Sequence, residues 1–345
     1  MSRERENVCQ IHTAPNRSRY PLCVRRNRHR RNAGARRGQE NSDHAKTLIN
    51  DVFQIKIAES AEAAAAKLGI ETERFGSSSD VAVEDQINII EAVISRGEFG
   101  GIVLAATVTQ GLGNVLAQAK EAGIYVVLVD SKTDGDDFVT VIQTDNVAAA
   151  TVAADYSAKL IGEKGKVAML EGEPGGQTAA QRTQGFHDGI MKYPGIEIVS
   201  SITGHWTLPG GVEATEALIA ANKDIDLIFA ASDMMGVGAR QVLDRAAKQA
   251  AADGDAEQAK KFADVKIVGF DGVAEAVTQI WDGKFSGTVA QRPDVMGTKA
   301  VEILAALMNG EKQLSDFPKV IDSGMLMVTP ENVDSYAKEI GVKKQ

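Results

Sequence analysis

Asn50, Thr107, Asp130, Ser232 with Asp233, Asp271 and Gln291 each follow an apolar run, Arg182 lies just inside a helical stretch, and Trp206 sits in the loop-like GHWTLPGG. In open α/β sheets ligands bind outside the carboxyl ends of strands, so these are the positions from which a site would be built. Carboxylates, amides, one guanidinium and an aromatic face can donate to and accept from several hydroxyls at once. The chemistry they suit is noncovalent recognition of a small polyhydroxylated molecule. Each also has a bland role. Asp130 and Asp271 could cap a following helix or turn. Arg182 could make a structural ion pair, Trp206 could be core, and Asn50 and Gln291 could satisfy local backbone. Asp233 could hold the N-terminus of the next helix in place of Ser232. Phe53 fits core and site equally.

Covalent chemistry has no foothold in the sequence. GxSxG, HExxH, a Walker A loop and a GxGxxG after a strand are all absent. EGEPGGQT is Gly-rich and precedes a helical stretch, but no Lys-Ser/Thr pair follows to cradle phosphate. His187 and His205 have no Cys or Ser nucleophile at an interpretable spacing. No cofactor, metal or enzymatic activity is expected.

The elements that would position these residues alternate regularly from Ala45 onward. The apolar run Ile124–Val129, without polar alternation, suits a strand buried on both faces of a parallel sheet, and it ends at Asp130. Before it, helices are expected over Val52–Leu68, from Val83, where Ile87, Ile90 and Ile94 continue one apolar face, and around Leu112–Ala119. Strands are expected near Ile70–Phe75 and Gly101–Ala106. After a second strand at Phe138–Ile142 and an exit at Asp145, the alternation restarts, with strands at Lys166–Glu171, Ile196–Ile202, Ile225–Ala230 and Val265–Phe270 and helices between them. The stretch from Gln249 to Asp264 reads as a surface extension of the helix before it. Phe285–Gln291, a helix from Asp294 to Met308 and Val320–Val328 supply what read as further crossings between two doubly wound α/β halves.

The first 44 residues differ in kind. They hold 11 Arg against four acids, a net of +7, so the other 301 residues carry −16 of the overall −9. They also hold Cys9 and Cys23, whose spacing gives neither a zinc pattern nor a disulfide framework. A basic nucleic-acid arm is one reading, although the acidic body would repel the same polyanion. No apolar segment of signal-peptide type follows the basic residues. The reading favoured by composition is a disordered or misread head at 1–44. Because Arg36–His44 cannot be a buried strand, the first sheet is expected to lack the strand that should precede the Val52 helix.

Taken together, KTLINDVFQIKIAESAEAAAAKLGI, VVLVDS, IQTDN, QRTQGF, IFAASD, KIVGFDG and GTVAQRPDVMG, in that order over about residues 46–330, resemble the ribose-binding-protein branch of type I periplasmic sugar-binding proteins. These are the soluble receptors of ABC importers. The resemblance implies two Rossmann-like lobes joined by a three-strand hinge, 45–145 with 292–321 and 146–291 with 322–345, closing on one ligand. It places Asn50, Phe53, Asp130, Ser131, Arg182, Trp206, Ser232, Asp271 and Gln291 at ligand positions. Ser131 stands where the family carries Arg, and Ser232 where ribose binders carry Asn. Both changes remove partners that a ribose ring would use, which turns the expectation toward another monosaccharide or a linear polyol. An inner-membrane permease as partner, a periplasmic location, a monomer and no nucleic acid are also implied. The alternative is a sugar-responsive repressor of the lac type, which shares the sensor fold but needs a helix-turn-helix head. A receptor feeding chemotaxis or quorum sensing is a third possibility.

Overall fold

The computed structural model describes residues 22–25, 52–76, 83–106 and 109–344, and they form two α/β lobes. In the first lobe β1 (Leu22–Arg25), β2 (Thr72–Arg74), β3 (Phe99–Leu104), β4 (Tyr125–Val129), β5 (Val141–Gln143) and β11 (Val320–Asp322) make a sheet of order β11-β5-β4-β3-β1-β2. Helices α1 (Val52–Lys67), α2 (Val83–Arg96), α3 (Gly113–Glu121) and α10 (Pro293–Met308) cover it. In the second lobe β6 (Lys164–Glu171), β7 (Gly195–Thr203), β8 (Leu227–Ala230), β9 (Lys266–Asp271), β10 (Gly287–Gln291) and β12 (Met325–Val328) run in the order β12-β10-β9-β8-β6-β7. Around them lie α4 (Asn146–Leu160), α5 (Gln177–Ile190), α6 (Leu208–Ala221), α7 (Asp233–Ala252), α8 (Ala256–Asp264), α9 (Ala274–Trp281) and α11 (Val333–Ile340).

The central strands are apolar throughout because helices bury both faces. In β4, Val127 and Val129 enter the core shared with α1 and α10, while Val126 and Leu128 enter the core shared with α2 and α3. All six residues of β3 and all four of β8 are buried.

Three expectations need correction. Leu22–Arg25, assigned above to a structureless head, is an interior strand between β2 and β3, antiparallel to both. Leu22 and Val24 pack into one core and Cys23 into the other, so a buried strand of four residues leaves no periodicity to read. The strand at the corresponding position of the second lobe, β6, is parallel to its two neighbours. The sheets are accordingly mixed, since β12 also pairs antiparallel with β10. The third correction falls at Gln249–Asp264. α7 ends at a turn through Asp253 and Gly254, and α8 starts afresh with Asp255 accepting from the Gln258 amide at 2.9 Å.

Burial pushes the Cys23 thiol well above its ordinary range. In a Cys9→Ser background, the folded protein should therefore resist a thiol reagent and release one equivalent only on denaturation. Rapid reaction without denaturant would remove Leu22–Arg25 from the sheet.

Among the described residues three segments cross between the lobes: β5 into α4, β10 into α10, and β11 into β12. Two of them are tied together. Ser323 N donates to Gln143 O at 2.8 Å, and the Thr144 and Ser323 hydroxyls lie 3.2 Å apart.

Candidate ligand-binding site

The carboxyl ends of β4, β8, β9 and β10 meet the N-termini of α1 and α5 at a cavity of about 80 Å³ between the lobes. Phe53, Gln54 and Asp130 line it from one side, and Thr178, Arg182, Trp206, Ser232 and Asp271 from the other. Gln291, at a crossover, lines it as well. Seven of the nine positions singled out above thus line one space: Phe53, Asp130, Arg182, Trp206, Ser232, Asp271 and Gln291. Ser131 stands behind it, with its hydroxyl 3.3 Å from Asp130 Oδ2 and 3.4 Å from Thr178 Oγ1 of the opposite lobe. Asn50 and Thr107 lie outside the described residues.

Arg182 is the best-anchored member, at 3% exposure. Its Nε donates to Asn146 Oδ1 at 2.9 Å, and its Nη1 to the Ala231 carbonyl at 2.7 Å and to Asp271 Oδ1 at 3.0 Å. The guanidinium carbon lies 3.8 Å from the Phe270 ring centroid and 5.3 Å from that of Trp206. The ion-pair reading and the site reading of Arg182 are therefore compatible. Asp271 Oδ1 also accepts from Gln291 Nε2 at 2.7 Å. Burial pushes the Asp271 carboxyl up to about 6, against the opposing pull of Arg182 and Gln291.

What these groups leave uncommitted defines the chemistry. Among the described residues Arg182 Nη2 and Asp271 Oδ2 make no hydrogen bond, and Gln291 Oε1 is buried without a partner. A donor and two acceptors thus belong to residues lining the same cavity. Buried polar groups are normally paired, so this capacity marks where hydroxyls would sit. The backbone gives a second sign. Asp130, Trp206 and Asp271 hold positive φ of 64°, 62° and 118°, a cost that concentrates at functional sites.

The capping roles considered above are distributed differently. Asp130 caps no helix; its Oδ2 accepts from Gln54 Nε2 at 2.8 Å and from Ser131. Ser232 is the N-cap of α7, accepting from Met235 N at 3.4 Å. Asp233, considered above for the N-terminus of that helix, reaches to Gly272 and Val273.

Gln54, Thr178 and Asn146 were missed. Gln54 is buried in the first turn of α1 beside Phe53, and a polar side chain on the apolar face of a helix was the available signal. Asn146 orients Arg182 from the first residue of α4, which only the crossover geometry discloses. Gln54→Leu keeps the bulk but removes the donor to Asp130. It should weaken sugar binding about tenfold, the scale of one lost buried hydrogen bond, with calorimetric titration as the check.

The fold and site define a two-lobed α/β protein built to enclose a small solute between its lobes. Residues 45–312 match the model of the periplasmic binding protein domain, and the chain belongs to that family. It is 29% identical over 272 residues to the ribose import binding protein RbsB of Salmonella typhimurium, covering 79% of this chain and 86% of that protein. It is 27% identical to the xylitol-binding protein of Mycolicibacterium smegmatis, covering 78% and 72% respectively. Among solved structures, an ABC transporter solute-binding protein of Actinobacillus succinogenes with bound D-allose superposes with a TM-score of 0.71 at 25% identity. That match covers 82% of this chain and 95% of the other.

Proposed function

We propose that this protein is a periplasmic solute receptor that captures one small neutral sugar or polyol between its lobes and delivers it to an ABC importer. The observation that carries this reading is the set of uncommitted polar groups, Arg182 Nη2, Asp271 Oδ2 and Gln291 Oε1, on residues around one cavity between the lobes. Two carboxylates, Asp130 and Asp271, share the site with a single guanidinium that is already paired to one of them. That balance disfavours sugar acids and sugar phosphates. At roughly 10–15 Å³ per water-sized group, the cavity of about 80 Å³ holds about five to eight such groups as the lobes stand, the scale of one small solute and too small for a disaccharide.

Because Phe53, Gln54 and Asp130 come from one lobe and Arg182, Trp206 and Asp271 from the other, a solute gains its full set of contacts only with the lobes together. It therefore shifts the population toward that form, and the joined lobes are what a membrane permease would meet. Trp206 offers a ring face to the C–H side of a sugar. The acidic body and the named relatives favour a transport receptor over a DNA-binding regulator, and the protein is expected to act as a monomer.

Thermal melting with D-ribose, D-allose, D-arabinose, xylitol and, as an anionic control, D-gluconate tests the reading. At least one neutral compound should raise Tm in a saturable way while gluconate does not. Stabilisation by gluconate alone, or by none, would overturn it.

A further inference from the structure

Behind the two carboxylates that line the cavity lies a third that does not line it. Asp233 is completely buried. Its Oδ2 accepts from Gly272 N at 2.7 Å and Val273 N at 3.0 Å, and its Oδ1 from Thr288 Oγ1 at 2.7 Å. The two amides belong to the turn that carries Asp271. From the other side Tyr336 Oη donates to the carbonyl of Gly272 at 2.7 Å. That turn is unfavourable at Asp271, whose φ is 118°, whereas Gly272 takes its φ of 76° without steric cost. At Gly272 a Cβ would come within 2.4 Å of the Ala290 side chain, so the close approach of β10 adds a second reason for glycine. Gly269, next to last but one in β9, clears the space that the carboxylate occupies, since a Cβ there would stand 2.1 Å from Asp233 Oδ1.

Burying a carboxylate costs several kcal/mol unless its lone pairs are filled. Burial, and then the charge of Asp271, push the Asp233 carboxyl well above its usual range. A fold that needed only a helix cap has one in Ser232, so this expense serves something else. The Asp271 carboxylate is useful only where Oδ1 reaches Arg182 and Gln291 and Oδ2 is left over for solute. An unrestrained turn would relax out of the positive-φ region and swing it away.

We propose that Asp233 is a positioning residue for solute binding, clamping the strained Asp271–Val273 turn from below with Thr288 while Tyr336 holds it from the side. Asp233 touches no solute and acts entirely through Asp271. The proposal deepens the receptor reading and rests on it for its effect on sugar affinity. The clamp itself can be observed without any sugar.

Asp233→Asn retains the shape, with the amide oxygen accepting from both backbone N–H groups and the amide nitrogen donating to Thr288 Oγ1. Asp233→Ala retains neither. Each variant is to be titrated with D-ribose, D-allose, D-arabinose and xylitol, and amide hydrogen exchange is to be followed at Gly272 and Val273. For whichever sugar binds the unsubstituted protein, Asp233→Ala should lose about thirtyfold or more in affinity, the scale of two to three hydrogen bonds, together with exchange protection at both amides. Asp233→Asn should restore both. A purely structural role would lower Tm in Asp233→Ala while leaving sugar affinity in the folded protein unchanged, and that result overturns the proposal. If Asp233→Ala does not fold, Thr288→Val and Tyr336→Phe each remove one strut, and unchanged affinity and exchange in both would be equally fatal. If no sugar binds the unsubstituted protein, the receptor reading fails. The exchange data still decide the clamp, which is refuted if Gly272 and Val273 exchange alike in all variants.

Discussion

Arg182→Ala is expected to abolish sugar-induced stabilisation and to lower the ligand-free melting temperature. The guanidinium is buried, paired to Asp271 at 3.0 Å, bonded to Asn146 and to the Ala231 carbonyl, and stacked on Phe270. Removing one member of a buried ion pair costs about 3–5 kcal/mol, chiefly because the other charge is left uncompensated. For a chain of this size that corresponds to roughly 5–15 °C in Tm. Arg182→Lys separates the two contributions. It keeps a positive charge near Asp271 but loses the planar fork that serves Asn146, Ala231 and the cavity together, so much of the stability should return and little of the binding. A folded Arg182→Ala protein that binds sugar with unchanged affinity would place the solute elsewhere.

The second large effect is a dependence on pH that runs in opposite directions for stability and for binding. Asp271 is held up to about 6, chiefly by burial, whereas an unfolded Asp titrates near its usual value of about 3.9. Between those values the folded protein keeps a proton that the unfolded chain has released. This group therefore favours the fold at the acid end, and the advantage is lost as pH rises through about 6. The amplitude is on the order of 3 kcal/mol at neutral pH. Asp271→Asn cannot titrate, so the stability of the unsubstituted protein relative to this variant should increase as pH falls from neutral to about 5. Comparing the two also cancels the surface carboxylates, such as Asp224 and Asp188, whose partners hold them low and whose contribution is lost on acidification. Sugar affinity should move the other way. A hydroxyl donating to Asp271 Oδ2 needs the ionised form, so binding weakens below about pH 6. A stability difference that is flat across this range would mean that Asp271 is not desolvated as the structure shows.

Much of this arrangement was legible in the sequence because its determinants are local. Strands buried on both faces announce themselves as unbroken apolar runs, and a polar residue at the end of such a run faces the place where ligands bind. Asp130, Asp271 and Gln291 were readable for that reason. Other parts depend on contacts distant in sequence. Leu22–Arg25 is too short to carry a period, and its burial exists only once β2 and β3 flank it. Gln54 looked like one more residue of an Ala-rich helix until Asp130 came within hydrogen-bonding distance of it, 76 residues along the chain. For Asp233 only a role at the helix N-terminus was considered, because that is the commonest local explanation for an Asp in the first turn. Its partners at Gly272, Val273 and Thr288 belong to two other strand ends. α9 and α11 were not anticipated either; each is only eight residues long, and they pack against one another at the edge of the second lobe.

The most direct test of the central claim uses Trp206, whose ring lies at the cavity beside Arg182. In a Trp281→Phe background it is the sole tryptophan, and its fluorescence can be titrated with D-ribose, D-allose, D-arabinose and xylitol. A saturable change with at least one of them, lost when Arg182→Ala is added, is the predicted result. No saturable change with any of the four, or a change that survives Arg182→Ala undiminished, would contradict a sugar or polyol site between the lobes.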